Sequence, residues 1–276
     1  MNICMNDGAS VDVPITSSDL VQDAITHVVP FVLVFFRILG VFIVAPMLSS
    51  TAVPVRARLL LGFIMSVAIY PAVAGKLVMP AETDLFGLLP LVLGEALIGF
   101  SIGLMMALPL MALEGAGVIA GHQMGMSLAR VYNPELDTEA DLLGQLLFFA
   151  AFASFLLVGG MEAIFGATIS TFERVPLGGI MASKVPLESL VGLVSSGLEL
   201  SVRVAAPVTG VILLLAITLG ALSKTMPQIN VMSVGFALKI MAGVLMLAFG
   251  TSSAVSAVID SMDDAGKEVA RFIATL

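Results

Sequence analysis

An all-α integral membrane protein is the fold class predicted by three properties of the sequence. Apolar residues are in large excess: 59% of the 276 residues are hydrophobic, 12% are charged, and the mean hydropathy is +1.09. A soluble domain carries about 25% charged residues. A globule of this size cannot bury so much apolar surface, so most of it must face lipid or partner subunits. The apolar residues also fall into six long runs, 28–48, 59–79, 85–113, 142–172, 189–222 and 229–259, and about 20 helical residues cross a hydrocarbon core of ~30 Å. Finally, the net charge of −8 and pI near 4.6 exclude a nucleic-acid partner, which needs clustered Lys and Arg.

The chain divides into a polar N-terminal arm (1–27), a single helical domain (28–259) and a polar, potentially amphipathic tail (260–276). The arm holds Asp7, Asp12, Asp19 and Asp23 and no Lys or Arg. A cleaved signal needs a basic n-region, so the first apolar run is expected to be retained as a helix. The first two runs fit one crossing each, with Pro30, Pro46 and Pro71 near their ends. The third, fifth and sixth are longer than a crossing needs. Pro90, Pro109 and Pro207 interrupt the third and fifth, and each removes a helical hydrogen bond, so bends or helical hairpins are expected. The single cysteine, Cys4, has no internal disulfide partner.

Two features depart from an ordinary multispan bundle. Trp is absent and the only tyrosines are Tyr70 and Tyr132, whereas lipid-facing bundles carry aromatic belts. The apolar runs also contain Arg37, Glu95, Glu162, Glu199, Arg203 and Lys239. Charge within such a run is costly unless it faces protein or water. Buried interhelical pairing, contacts to partner subunits and a polar pathway for a solute all satisfy that condition. Glu199 and Arg203, four residues apart, share one helical face and can neutralise each other.

The stretch from Gly115 to Asp141, GAGVIAGHQMGMSLARVYNPELDTEAD, combines three patterns. Gly117, Gly121 and Gly125 lie at i, i+4 and i+8, a stripe that lets a neighbouring helix approach closely, and Gly99 and Gly103 repeat the device. Met105, Met106, Met111, Met124 and Met126 surround it; such flexible side chains suit either core packing or a deformable seal around a pore. Asn133-Pro134 then signals a turn, opening a loop of mixed polarity.

Catalytic readings fail on spacing. A zinc-protease helix would need a second His four residues after His122, where Met126 stands, and a Glu between them. The sequence around Ser127 lacks the second glycine of a nucleophile elbow. No phosphate-binding glycine loop and no metal-ligand spacing occurs, so neither enzymatic activity nor a cofactor is expected.

Three stretches carry a resemblance. GHQMGMSLARVYNP (121–134) resembles the G-x-Q-x-G-x-S signature and Pro turn of the FliR family of flagellar type III export-gate proteins and their injectisome counterparts. AVPVRARLLLG (52–62) and KTMPQINVMSVGFALKIMAG (224–243) resemble two further segments of that family, in the same order. The resemblance implies a non-enzymatic subunit whose bent helical hairpins assemble with FliP-type and FliQ-type subunits into a helical channel for unfolded proteins. An FlhB-type protein would associate with that channel, in the bacterial inner membrane at the flagellar basal body. It further implies that the loop after the signature plugs the closed channel. At the matching positions the plug residues would be Gln123, Met124, Gly125, Met126, Ser127, Leu128, Ala129, Val131, Tyr132, Asn133 and Pro134. His122, Arg130 and the acidic 135–141 segment depart from the family pattern. A stand-alone small-solute transporter using Glu95, Glu199, Arg203 and Lys239 is the alternative.

Overall fold

In the computed structural model, residues 17–46, 53–73, 85–126, 142–178, 187–225 and 231–275 are described. They form seven helices: α1 (Ser17–Val44), α2 (Val55–Val73), α3 (Leu85–Met124), α4 (Leu142–Leu157), α5 (Gly160–Arg174), α6 (Leu187–Thr225) and α7 (Val231–Thr275). The protein is all-α and of membrane type. Four helices contain stretches long and apolar enough to cross a bilayer: His27–Val44, Val55–Val73, Gly87–Met124 and Val194–Thr225. The bent pair α4–α5 makes a fifth if counted as one span.

Four boundaries differ most from the hydropathy runs. Helix α1 begins at Ser17, so residues 17–27, expected as part of a polar arm, are helical. The run 142–172 is two helices meeting at 64°. Its break is a glycine pair: Gly159 has φ +80°, a left-handed conformation that glycine takes at no steric cost, and Gly160 opens α5. Hydropathy is continuous through this point, so it gives no sign of the bend. The third run extends to Met124, making α3 a helix of 40 residues, about 60 Å long, or twice a hydrocarbon core. The last run continues through 260–275 as part of α7, whose terminal turns bury Met262, Ala265, Val269, Phe272 and Ile273.

Helix α3 is the axis of the fold, packing against α1, α4, α5, α6 and α7, while α2 packs chiefly on α1. Its Ile98, Ile102, Met105, Leu110 and Leu113 are fully buried in the main core, which also takes Leu33 and Val34 of α1 and Phe155 and Phe172 of α4 and α5. A smaller core lies at the far end of α3, where Ala120 and Met124 meet Val208 and Ile212 of α6. Against lipid, burying one more Leu gains little, because acyl chains are as apolar as the core. Association rests instead on close van der Waals contact and polar pairing. Buried hydroxyls are satisfied within their own helices, Ser66 donating to Gly62 O at 2.7 Å, Ser101 to Leu97 O at 2.7 Å and Thr168 to Ile164 O at 2.8 Å. The outer faces of α2, α6 and the apolar part of α7 expose Phe63, Ile64, Leu214, Ile217 and Phe249.

Candidate functional site

At its lower half, α3 crosses α1 with main chain against main chain. A Cβ on Gly99 would collide with the carbonyl oxygen of Arg37 and come within 3.0 Å of Val41 N. One on Gly103 would stand 2.7 Å from Val41 O, and one on Gly40 would meet Ala96 O and stand 2.9 Å from Phe100 N. Three glycines, two on α3 and one on α1, therefore set the interhelical distance.

That closeness seats a buried ion pair one turn away. Arg37 and Glu95 are 0% and 1% exposed, and Arg37 Nε donates to Glu95 Oε2 at 2.5 Å. The guanidinium also lies 4.4 Å from the centre of the Phe172 ring and reaches Thr171 Oγ1 at 3.4 Å and Val175 O at 3.4 Å. Val175 is the C-cap of α5, so the cation sits at the negative end of that helix. The other carboxylate oxygen of Glu95 accepts the Gly178 N–H at 2.9 Å. Burying such a pair is favourable only when its remaining donors and acceptors find partners, and here α1, α3 and the exit of α5 supply them.

The upper end of α3 is built differently. The helix stops at Met124, and Gly125 follows with φ +87°. Gly125 N–H donates to His122 O at 3.0 Å and Met126 N–H donates to Gly121 O at 3.1 Å. This pair of bonds is the Schellman arrangement, which satisfies the last carbonyls of a helix and needs a left-handed residue. Met124 itself is fully buried between α3, Val208 and Ile212 of α6, and α7. Its thioether fills the space above Gly243, where a Cβ would lie 2.7 Å from Sδ and 2.9 Å from Cγ.

Residues 28–265 match the family described as "Bacterial export proteins, family 1". The chain belongs to that family. The flagellar biosynthetic protein FliR of Escherichia coli is 30% identical to it over 217 residues, covering 77% of this chain and 80% of that protein. FliR of Bacillus subtilis is 27% identical over 221 residues, covering 79% and 84%. The Yop proteins translocation protein T of Yersinia pestis is 27% identical over 226 residues, covering 80% and 84%.

In this family member, the residues expected at the site separate into groups. Gly99 and Gly103 pack against α1, and Gly117 packs against α4, where its Cβ would stand 2.5 Å from Leu143 O and 2.6 Å from Gly144 Cα. Gly121 is buried. Gly125 does not belong to the packing stripe: it lies beyond the helix and serves as its cap. Of the candidate plug residues, Gln123 is exposed, Met124 is buried and Met126 is partly buried; Ser127, Leu128, Ala129, Val131, Tyr132, Asn133 and Pro134 lie outside the described residues.

The six charges do not form one class. Only Arg37 and Glu95 are buried; Glu162, Glu199 and Arg203 are exposed, and Lys239 is partly buried on α7, one turn before Gly243. Of the alternatives for these charges, burial inside this chain therefore holds for Arg37 and Glu95 and not for Glu162, Glu199 and Arg203. Arg203 Nη2 and Glu199 Oε1 do pair, at 2.9 Å, across side chains that are 75% and 70% exposed. They border an open cavity of about 670 Å³ between α3, α6 and the end of α7, with Lys267 and Arg271 on the opposite wall. Hydrogen bonds to Asp263, then Asp264, hold the Lys267 ammonium above its usual range. The buried pair and this exposed pair occupy separate places, so Glu95, Glu199 and Arg203 do not line one polar route. Thr171, Phe172, Val175, Gly178 and Gly243 were not singled out by the sequence: two act through main-chain atoms, and each contact is remote along the chain.

Proposed function

We propose that this chain is a non-enzymatic subunit of a type III protein export gate at the base of the bacterial flagellum. It forms part of the channel for unfolded proteins in the inner membrane and plugs that channel when closed. The observation that carries this reading is the end of α3. A helix packed along most of its length stops at a glycine-capped turn, within the stretch that carries the signature. Membership of a bacterial export family, with relatives named as flagellar biosynthetic and translocation proteins, supports the same reading.

In this reading FliP-type and FliQ-type subunits cover the exposed apolar faces of α2, α6 and α7, and an FlhB-type protein joins the assembly. Residues 126–134 close the channel. Exposed Glu162, Glu199 and Arg203 meet partner subunits. Energy for export comes from other components, since the chain offers no nucleotide-binding loop.

Affinity purification from native membranes with mass spectrometry tests the assembly. The expected result is a large complex containing FliP-type and FliQ-type chains; recovery as an active lone monomer would overturn the proposal. Deleting Met126–Pro134 tests the plug. The complex should still assemble but leak small solutes, and an unchanged, tight membrane would refute the plugging role.

A further inference from the structure

We propose that Met124 is a latch tying the end of α3 to the α6–α7 pair, and that its thioether leaves the Gly243 notch when the channel opens. The inference rests on the reading of residues 126–134 as the closing segment, and adds to it the contact that holds that segment's root.

The contact has the properties a releasable catch requires. Met124 is fully buried, so its place is defined by packing and not by solvent. The groups around it come from separate helices: Ala120 on α3, Val208 and Ile212 on α6, and Gly243 with Ile240, Met246 and Leu247 on α7. What occupies the notch is an unbranched side chain, its terminal methyl nearest and Sδ and Cγ behind it. Such a side chain can shift by rotation about its own bonds, which a main-chain atom cannot do. The contacts at Gly99 and Gly103 are main chain on main chain, and have no such freedom.

Position completes the argument. Met124 is the last residue of α3, and Gly125 and Met126 follow in the Schellman turn. No further helical turn lies between the notch and the chain that leaves it. A pull on that chain therefore reaches Met124 first, and a shift of α7 relative to α3 opens or fills the notch. Glycine at 243 is what makes the seat: a methyl group there would occupy the volume now filled by the Met124 thioether.

The test measures efflux of carboxyfluorescein from lipid vesicles holding the assembled complex, beside native gel electrophoresis to follow assembly. Met124→Ala removes the catch without introducing a clash, and Gly243→Ala fills its seat with a methyl group. Each should raise resting efflux several-fold with assembly unchanged. The double variant should leak no more than either single variant, because both remove the same contact. Tight Met124→Ala vesicles overturn the latch while leaving the plug intact, provided the Met126–Pro134 deletion leaks. If the deletion is tight as well, the closing-segment reading fails and the latch fails with it. Additive leaks in the double variant also overturn the latch, since they would mean that two independent contacts had been broken.

Discussion

Where α3 crosses α1, glycine carries main chain against main chain; where α3 ends on α7, glycine receives the tip of a thioether. At the first contact a Cβ on Gly99 meets a carbonyl oxygen and an amide nitrogen of α1, neither of which can move without its helix. At the second, the atoms nearest a Cβ on Gly243 are the terminal methyl, Sδ and Cγ of Met124. The same residue type thus builds a fixed crossing in one place and a deformable one in the other. The fixed crossing is reinforced by a buried ion pair with four further partners from α5 and its exit, Thr171, Phe172, Val175 and Gly178, whereas the deformable one has apolar neighbours. The proposed gate role would need both, an immobile frame and an element that yields against it.

The largest effect should come from removing the cation at the fixed crossing. Arg37→Met strands the buried Glu95 carboxylate with the Gly178 N–H, and breaking a buried pair in this way costs about 3–5 kcal/mol. Glu95→Leu should cost less, because Arg37 keeps the Val175 carbonyl and the Phe172 ring. The double variant Arg37→Met/Glu95→Leu should recover much of the loss, since two apolar residues need no pairing. Thermal unfolding of the purified complex in detergent measures all three. A double variant no more stable than Arg37→Met alone would show that the site depends on the arginine's other contacts and not on the pair.

Gly99→Ala comes next. Forcing a methyl group into a packed crossing costs about 1–3 kcal/mol, and here the obstacle is main chain, so α1 must move off α3. Gly243→Ala introduces the same methyl group against a side chain that can swing aside. Unfolding should therefore be lowered clearly by Gly99→Ala and only slightly by Gly243→Ala. Equal losses at the two positions would erase the distinction between a fixed and a yielding contact.

Much of this was legible in the sequence, for physical reasons. Hydropathy reports which residues can face lipid, so the all-α membrane class and most helices followed from it. A glycine repeat at four-residue spacing reports one face of a helix, which is why Gly99, Gly103 and Gly117 stood out. Spacing within one helix cannot report a partner on another. Arg37 and Glu95 each stood out as a charge in an apolar run, but their union, and the part played by Val175 and Gly178, depend on tertiary contact. The same limit hid Gly243. The stripe through Gly125 failed for a different reason, because helical periodicity carries no information about where the helix ends.

The smallest predicted effect tests that end. Gly125 has φ +87°, and forcing an L-residue into the left-handed region costs about 1–2 kcal/mol. Asn tolerates that region best among residues with a side chain, and β-branched residues tolerate it least. Stability of the complex should therefore fall in the order Gly125, Gly125→Asn, Gly125→Ala, Gly125→Val. The loss should stay below that of Gly99→Ala, because a strained cap relaxes by fraying one turn, giving up the bonds to His122 O and Gly121 O while the α1 crossing stays closed. Fraying also frees Met124 from a fixed helical direction, so leakage of the resting channel should rise along the same series as stability falls. A variant series in which Asn and Val behaved alike would mean that the positive φ at Gly125 is not what ends α3.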